Sequence, residues 1–240
     1  MITTAIVAVV VVVIGLAVAA TVVSARPAAQ PAEAATERFA APAAPGASTS
    51  MLFVGDSFTL GPPSLPDLGY ACLTATRLGM NCNLGAQPGT GYINGGPDHR
   101  LPLAPGTEHS TSYYERIPRL HARMAADVVV FDGGRNDLAY DREFLANALL
   151  FTLERAADAW PNARIVVIPP WYLIDPDTAA ATMDAEYAVA ELVRDRVGAD
   201  PALGNVIVLD PPPAEFRTRS GLAETGEADG IHLSPAQHRR

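Results

Sequence analysis

Four short runs, at residues 51–54, 127–131, 164–168 and 205–209, are apolar at every position except at most the first. A strand with one face in water alternates polar and apolar residues. Unbroken apolar runs therefore predict strands buried on both faces. Glycine or proline follows the first three runs within two residues. Segments with helical spacing lie between them. One covers residues 68–78 and stops at Gly79, one covers 141–160 before Pro161, and one covers 177–197 with Asp177 or Thr178 as N-cap. This alternation predicts an α/β fold, in its simplest form a three-layer α/β/α sandwich around a mainly parallel sheet. In such sheets the working residues sit just past the carboxyl ends of the strands.

The chain begins differently. Residues 2–23 carry no charge and are mostly Val, Ala, Ile and Leu. That run meets the ~20 apolar residues a bilayer-spanning helix needs. A cleavable signal has a shorter apolar region of ~7–15 residues behind a positive segment. No Lys or Arg precedes the run, although Val23-Ser24-Ala25 offers small residues for cleavage. Length favours an uncleaved membrane anchor at 1–25. Residues 26–50 are Ala, Pro, Glu, Thr and Ser with almost no large apolar group, the composition of an unfolded spacer. The folded part is expected at 51–240. Its expected location is extracytoplasmic, held at the membrane, or secreted if the first segment is removed.

The net charge of −9 lacks the basic face that a nucleic-acid partner requires. Five dispersed His and two Cys form no metal-site pattern. In the oxidising space that export implies, Cys72 and Cys82 are expected to pair. The loop they close is short, so the entropic gain is modest, roughly 2–3 kcal/mol.

Three polar clusters fall beyond strand ends. Gly55-Asp56-Ser57 follows the first run. Gly133-Gly134-Arg135-Asn136-Asp137 follows the second, and Asp229-Gly230-Ile231-His232 comes after the last strand and a loop. Together they contain what acyl transfer requires. A Ser hydroxyl is a weak nucleophile and needs an adjacent base. His232 can take the Ser57 proton and return it to the leaving alcohol. A carboxylate must orient the imidazole, and Asp229 reaches back through one tight turn. Donors must meet the developing oxyanion. The Ser57 backbone N–H and the Asn136 side chain are two candidates. The glycine-rich segment 83–92 supplies a third, Gly89 first and Gly85 second, because backbone without Cβ approaches a ligand closely.

These blocks resemble the SGNH, or GDSL-type, hydrolases. Gly55-Asp56-Ser57-x-x-x-Gly61 is similar to the family's first block, and the glycine-rich segment to the second. Gly134-x-Asn136-Asp137 is similar to the third, and Asp229-x-x-His232 to the fifth. The resemblance runs from about Met51 to His232. It implies the SGNH-hydrolase form of the flavodoxin-like sandwich. It also implies hydrolysis of carboxylic esters by Ser57, His232 and Asp229, with no metal or organic cofactor. Two features depart from the pattern. Pro88, which has no N–H, intrudes in the second block, and only residues 234–240 remain after the His block.

Each residue also has a plainer reading. Ser57 could cap the next helix, and Asp137 could be a turn residue. Arg135 is expected in an ion pair with Asp132 or Asp137, with the binding of an acidic acyl group as a weaker alternative. His99, His109 and His121 show no partner pattern and are expected at the surface. The segment 93–123 is read as a long loop, and Trp171, Tyr172 and Leu173 as either a substrate pocket or packing. The expected activity is ester hydrolysis of acyl or acetyl groups, possible substrates being glycans or lipids of the cell envelope. An acyltransferase with the same site and a non-catalytic envelope-binding module are the alternatives. Oligomeric state is not legible.

Overall fold

The computed structural model describes residues 49–61, 68–97, 99, 110–171, 179–211, 232–233 and 238–239. The anchor expected at 1–25 and nearly all of the spacer lie outside these residues. So do Asp229, His109, Tyr172, Leu173 and the N-cap expected at 177 or 178.

The strands are β1 (Ser50–Gly55), β2 (Asn81–Leu84), β3 (Val128–Asp132), β4 (Arg164–Ile168) and β5 (Val206–Val208). They form one sheet in the order β2-β1-β3-β4-β5, and every pairing is parallel. The four apolar runs are four of these strands. The fifth, β2, reads Asn-Cys-Asn-Leu and carries no apolar run. It is an edge strand bonded only to β1, so water reaches it and polar residues are tolerated.

The helices are α1 (Ser57–Leu60), α2 (Tyr70–Arg77), α3 (Tyr113–Arg123), α4 (Arg142–Ala159) and α5 (Ala179–Ala199). Alternate residues of the strands serve opposite faces. Leu52, Val54, Val129, Phe131, Ile165 and Val167 pack against α3, α4 and α5 through residues such as Ile117, Leu149 and Val193. Met51, Phe53, Val128, Val130 and Val166 pack against Ala71 and Ala75 of α2. The architecture is therefore the expected α/β/α sandwich.

Helix α3 corrects the reading of 93–123 as loop throughout. Its N-terminus is a capping box, with Ser112 accepting from the Glu115 N–H and Glu115 accepting from the Ser112 N–H. Tyr113, Ile117 and Leu120 form its buried stripe, together with Arg116. Arg116 on the core side and Pro118 within the helix obscure the periodicity. None of the described helices is long and apolar enough to cross a membrane.

Cys72 of α2 and Cys82 of β2 form a disulfide, as expected, with Cα atoms 5.2 Å apart. It ties the edge strand to the helix that covers it.

The chain leaves β1 to build β2 on one side, then crosses to build β3 on the other. The strand order therefore reverses between β1 and β3, and such a switch point opens a crevice at the carboxyl ends. Gly55 and Asp132 face each other there.

Candidate active site

The crevice is lined by segments that follow β1 and β3. Asp56 caps α1, its Oδ1 accepting from the Phe58 N–H at 2.9 Å. The capping task therefore falls to Asp56 and not to Ser57, whose hydroxyl is left for other partners. Ser57 is the first residue of the helix, where backbone N–H groups have no partner within the helix.

His232 Nε2 lies 2.8 Å from Ser57 Oγ. Phe58 packs beside the imidazole at 5.6 Å between ring centroids. Phe58, Trp171 and Leu233 form a small apolar cluster at the site. Trp171 is buried and packs edge-on to Phe58, so packing accounts for most of its surface. The third expected member, Asp229, is outside the described residues.

Asn136 lies in the turn Arg135–Asp137 that follows β3. Its Nδ2 donates to the Thr90 carbonyl at 2.9 Å and sits 3.4 Å from Asp56 Oδ2. Asn136 thus adjoins both the Asp56–Ser57 turn and the glycine-rich loop. Gly134 opens the turn at a φ of +94°, and a Cβ there would sit 2.8 Å from Pro170.

The glycine-rich loop is held from below by Asp137. That carboxylate is buried and accepts from the Tyr92 N–H at 2.7 Å and the Asn94 N–H at 2.9 Å. Burial raises its pKa, and the backbone N–H groups of Asn94, Tyr92 and Ile93 oppose the rise. A Cβ on Gly91 would fall 2.0 Å from Asp137 Oδ2, so only glycine lets the backbone come this close. Asp137 is more than a turn residue.

The two glycines considered as oxyanion donors separate. The Gly85 N–H is committed to the Phe53 carbonyl at 2.7 Å, which removes it as a donor. Gly89 adopts φ +69° next to Thr90, the residue whose carbonyl holds Asn136. Its N–H donates to no other described residue. Pro88 is exposed.

Two buried arginines brace the site, Arg116 unanticipated and Arg135 with one partner more than expected. Arg116 sends Nη1 to the Gly55 carbonyl at 3.0 Å and to the Gly85 carbonyl. Its Nη2 reaches Thr90 Oγ1 at 2.9 Å and the Thr111 carbonyl at 2.7 Å. One side chain thereby ties the ends of β1 and β2 to the glycine-rich loop. Burial lowers its pKa to about 10. Arg135 pairs with Asp132, as expected, and with Asp56, each at 2.7 Å. It does not pair with Asp137. Its guanidinium is 1% exposed and fully engaged, which removes it as a receptor for an acidic acyl group. Burial acts to lower the Arg135 pKa, but Asp132 and Asp56 override it and raise the value. Burial pushes the Asp56 carboxyl up to about 6, against the opposing pull of Arg135.

Of the remaining histidines, His99 has a partner. Its Nε2 lies 2.9 Å from Glu115 Oε2, fastening the loop to the start of α3. His121 packs on Trp160. Among the described residues, no cluster of three or more His, Cys, Asp or Glu could hold a metal ion.

A parallel sandwich with a Ser–His pair at its switch point defines the class, an ester-hydrolase fold. The chain belongs to the GDSL-like lipase/acylhydrolase family, whose sequence model matches residues 53–240. No curated protein sequence is a significant match. Similar solved structures include an active-site mutant of a family two carbohydrate esterase from Clostridium thermocellum. It is 20% identical with a TM-score of 0.52, over 80% of this chain and 60% of that one. A family two carbohydrate esterase from Corynascus thermopiles is 23% identical with a TM-score of 0.54, over 82% and 64%. TesA is 18% identical with a TM-score of 0.57, over 80% and 93%. At these identities the likeness is one of fold. This chain spans less than two thirds of the two carbohydrate esterases.

Proposed function

We propose that this protein is an extracytoplasmic serine esterase that hydrolyses carboxylic esters with Ser57 as nucleophile. The observation that carries the reading is the 2.8 Å contact between His232 Nε2 and Ser57 Oγ. His232 takes the hydroxyl proton as Oγ attacks the ester carbonyl. Asp229, the carboxylate the sequence offers, is assigned the task of keeping the opposite ring nitrogen as N–H and stabilising the imidazolium. The oxyanion is met by the Ser57 and Gly89 N–H groups and the Asn136 side chain. His232 then protonates the leaving alcohol. Water, deprotonated by the same imidazole, releases the acid and restores Ser57.

Acetyl or short acyl groups on an envelope glycan are the favoured substrates. Several proteins with this fold are named as carbohydrate esterases or acetylesterases. The Cys72–Cys82 disulfide and the apolar run at 2–23 support a location outside the cytoplasm. The test is acetate release by the full chain from an acetylated oligosaccharide, compared with hydrolysis of p-nitrophenyl esters of increasing chain length. Release that requires Ser57 and favours acetyl supports the reading. No Ser57-dependent turnover of any ester contradicts it. Transfer of the acyl group to an added sugar hydroxyl would assign the same site to an acyltransferase.

A further inference from the structure

We propose that Arg135 is a positioning residue for catalysis. It fixes the separation of Ser57 and Asn136, and it cancels the carboxylate charge that lies directly behind the oxyanion site. The inference rests on the catalytic reading of Ser57 and Asn136 given above.

Asp56 immediately precedes Ser57, and Arg135 immediately precedes Asn136. The 2.7 Å ion pair between Asp56 and Arg135 therefore joins the nucleophile turn to the turn of the oxyanion donor by one buried bridge. The other guanidinium nitrogens are also fixed. Nη2 bonds Asp132 Oδ1 at 2.7 Å, and Nε bonds the Trp171 carbonyl at 3.1 Å. The planar group lies over the Phe58 ring at 4.3 Å. A guanidinium held in two ion pairs and one carbonyl bond has little freedom to move.

The charge argument is independent. Asp56 and Asp132 are both fully buried and share this one cation. Asp132 is further fixed by Thr59 Oγ1 at 2.8 Å and by the Tyr70 hydroxyl. Tyr70, Tyr92 and Tyr113 also interact with the cluster, and burial keeps all three neutral. Asp56 Oδ2 stands 3.4 Å from Asn136 Nδ2, the group assigned to the oxyanion. Without Arg135, the Asp56–Asp132 pair would leave uncompensated negative charge beside an oxyanion as it forms. Asp56 would also compete for the amide proton that the oxyanion needs. Like charges in a buried site repel strongly, so the transition state would suffer more than the bound substrate.

The test compares the full-length wild type with R135Q, R135K and D132N/R135Q on p-nitrophenyl acetate from pH 6 to pH 8. R135Q is expected to lose roughly 10²-fold in kcat with KM changed less than about threefold. Its loss is expected to be deeper at pH 8 than at pH 6, because the Asp56 carboxyl, which burial pushes up to about 6, carries more of its charge at the higher pH. R135K keeps the charge and should lose less than about tenfold. D132N/R135Q restores the formal charge of the cluster and should recover at least about tenfold over R135Q. A loss under about threefold in R135Q, or a pH-independent loss that the double variant does not recover, overturns the proposal and leaves Arg135 a packing residue. If R135Q does not fold, the double variant decides. A deficit under about tenfold from wild type supports the charge role, and a deficit of 10²-fold overturns it. A wild type without Ser57-dependent turnover would instead overturn the catalytic reading itself, and this role with it.

Discussion

Gly55 and Asp132 stand opposite each other at the carboxyl ends of adjacent parallel strands. Two residues beyond the first is Ser57, and four beyond the second is Asn136. The register of two central strands therefore sets how far Ser57 lies from Asn136. Because both strands are buried on both faces, a slip of one residue would send each side chain to the opposite core, where its shape does not fit. The site inherits its precision from that packing.

Asn136→Ala removes a side-chain donor while leaving the Ser57–His232 pair intact. We expect kcat to fall about 10²–10³-fold with KM nearly unchanged, as for loss of one oxyanion donor. Steady-state kinetics on a p-nitrophenyl ester would show it. An equal rise in KM with kcat unchanged would place Asn136 in ground-state binding.

Asp137→Asn places N–H groups where the Tyr92 and Asn94 amides need an acceptor. A buried donor left unsatisfied costs about 1–3 kcal/mol. Urea unfolding should show a loss in that range.

His238 accepts from the Tyr70 N–H at 3.2 Å and stacks on the Tyr70 ring. Burial first, and the nearby His232 second, lower its pKa to about 4. Between pH 4 and about pH 6.5 the unfolded chain therefore binds more protons at this residue than the folded one. The stability it contributes is complete above pH 6.5 and is lost as pH falls towards 4, by up to about 3 kcal/mol. His238→Phe keeps a ring but cannot titrate. Its unfolding midpoint should fall less steeply than that of the wild type from pH 6.5 to pH 4, as followed by circular dichroism.

Reduction of the Cys72–Cys82 bond releases the edge strand β2 from α2. We expect a loss of roughly 2–3 kcal/mol, the value for closure of a short loop. The comparison is between the wild type and Cys72→Ser/Cys82→Ser, both without reductant. An unchanged midpoint would mean that packing alone holds the edge.

What could be read in advance follows from burial. The apolar runs of β1, β3 and β4 were legible because both of their faces are covered, and β5, half-buried at the other edge of the sheet, keeps an apolar run as well. The edge strand β2 was not among them, because it carries an exposed Asn81 and a buried Asn83 in place of apolar residues. Helix α3 was missed because a buried arginine occupies its core side. Arg116 is buried for its hydrogen bonds to four backbone and side-chain oxygens, and hydrophobic periodicity carries no sign of them. The Ser112-x-x-Glu115 capping box was the available signal. Ser57, Asn136 and His232 were legible as short motifs at strand ends. The local Asp132–Arg135 pair was also legible, but its extension to Asp56 was not, since Asp56 and Arg135 meet only through the pairing of β1 with β3. Gly85 was a reasonable donor from composition, and only the ladder bond to Phe53 excludes it.

The most direct test of the central claim is stoichiometric labelling of the folded full-length protein by a fluorophosphonate, read by intact mass and peptide mapping. We predict one adduct, on Ser57. Its rate should fall by roughly 10³-fold or more in His232→Ala, because the hydroxyl then lacks its base. No adduct on Ser57, or labelling as fast without His232 as with it, would contradict the account.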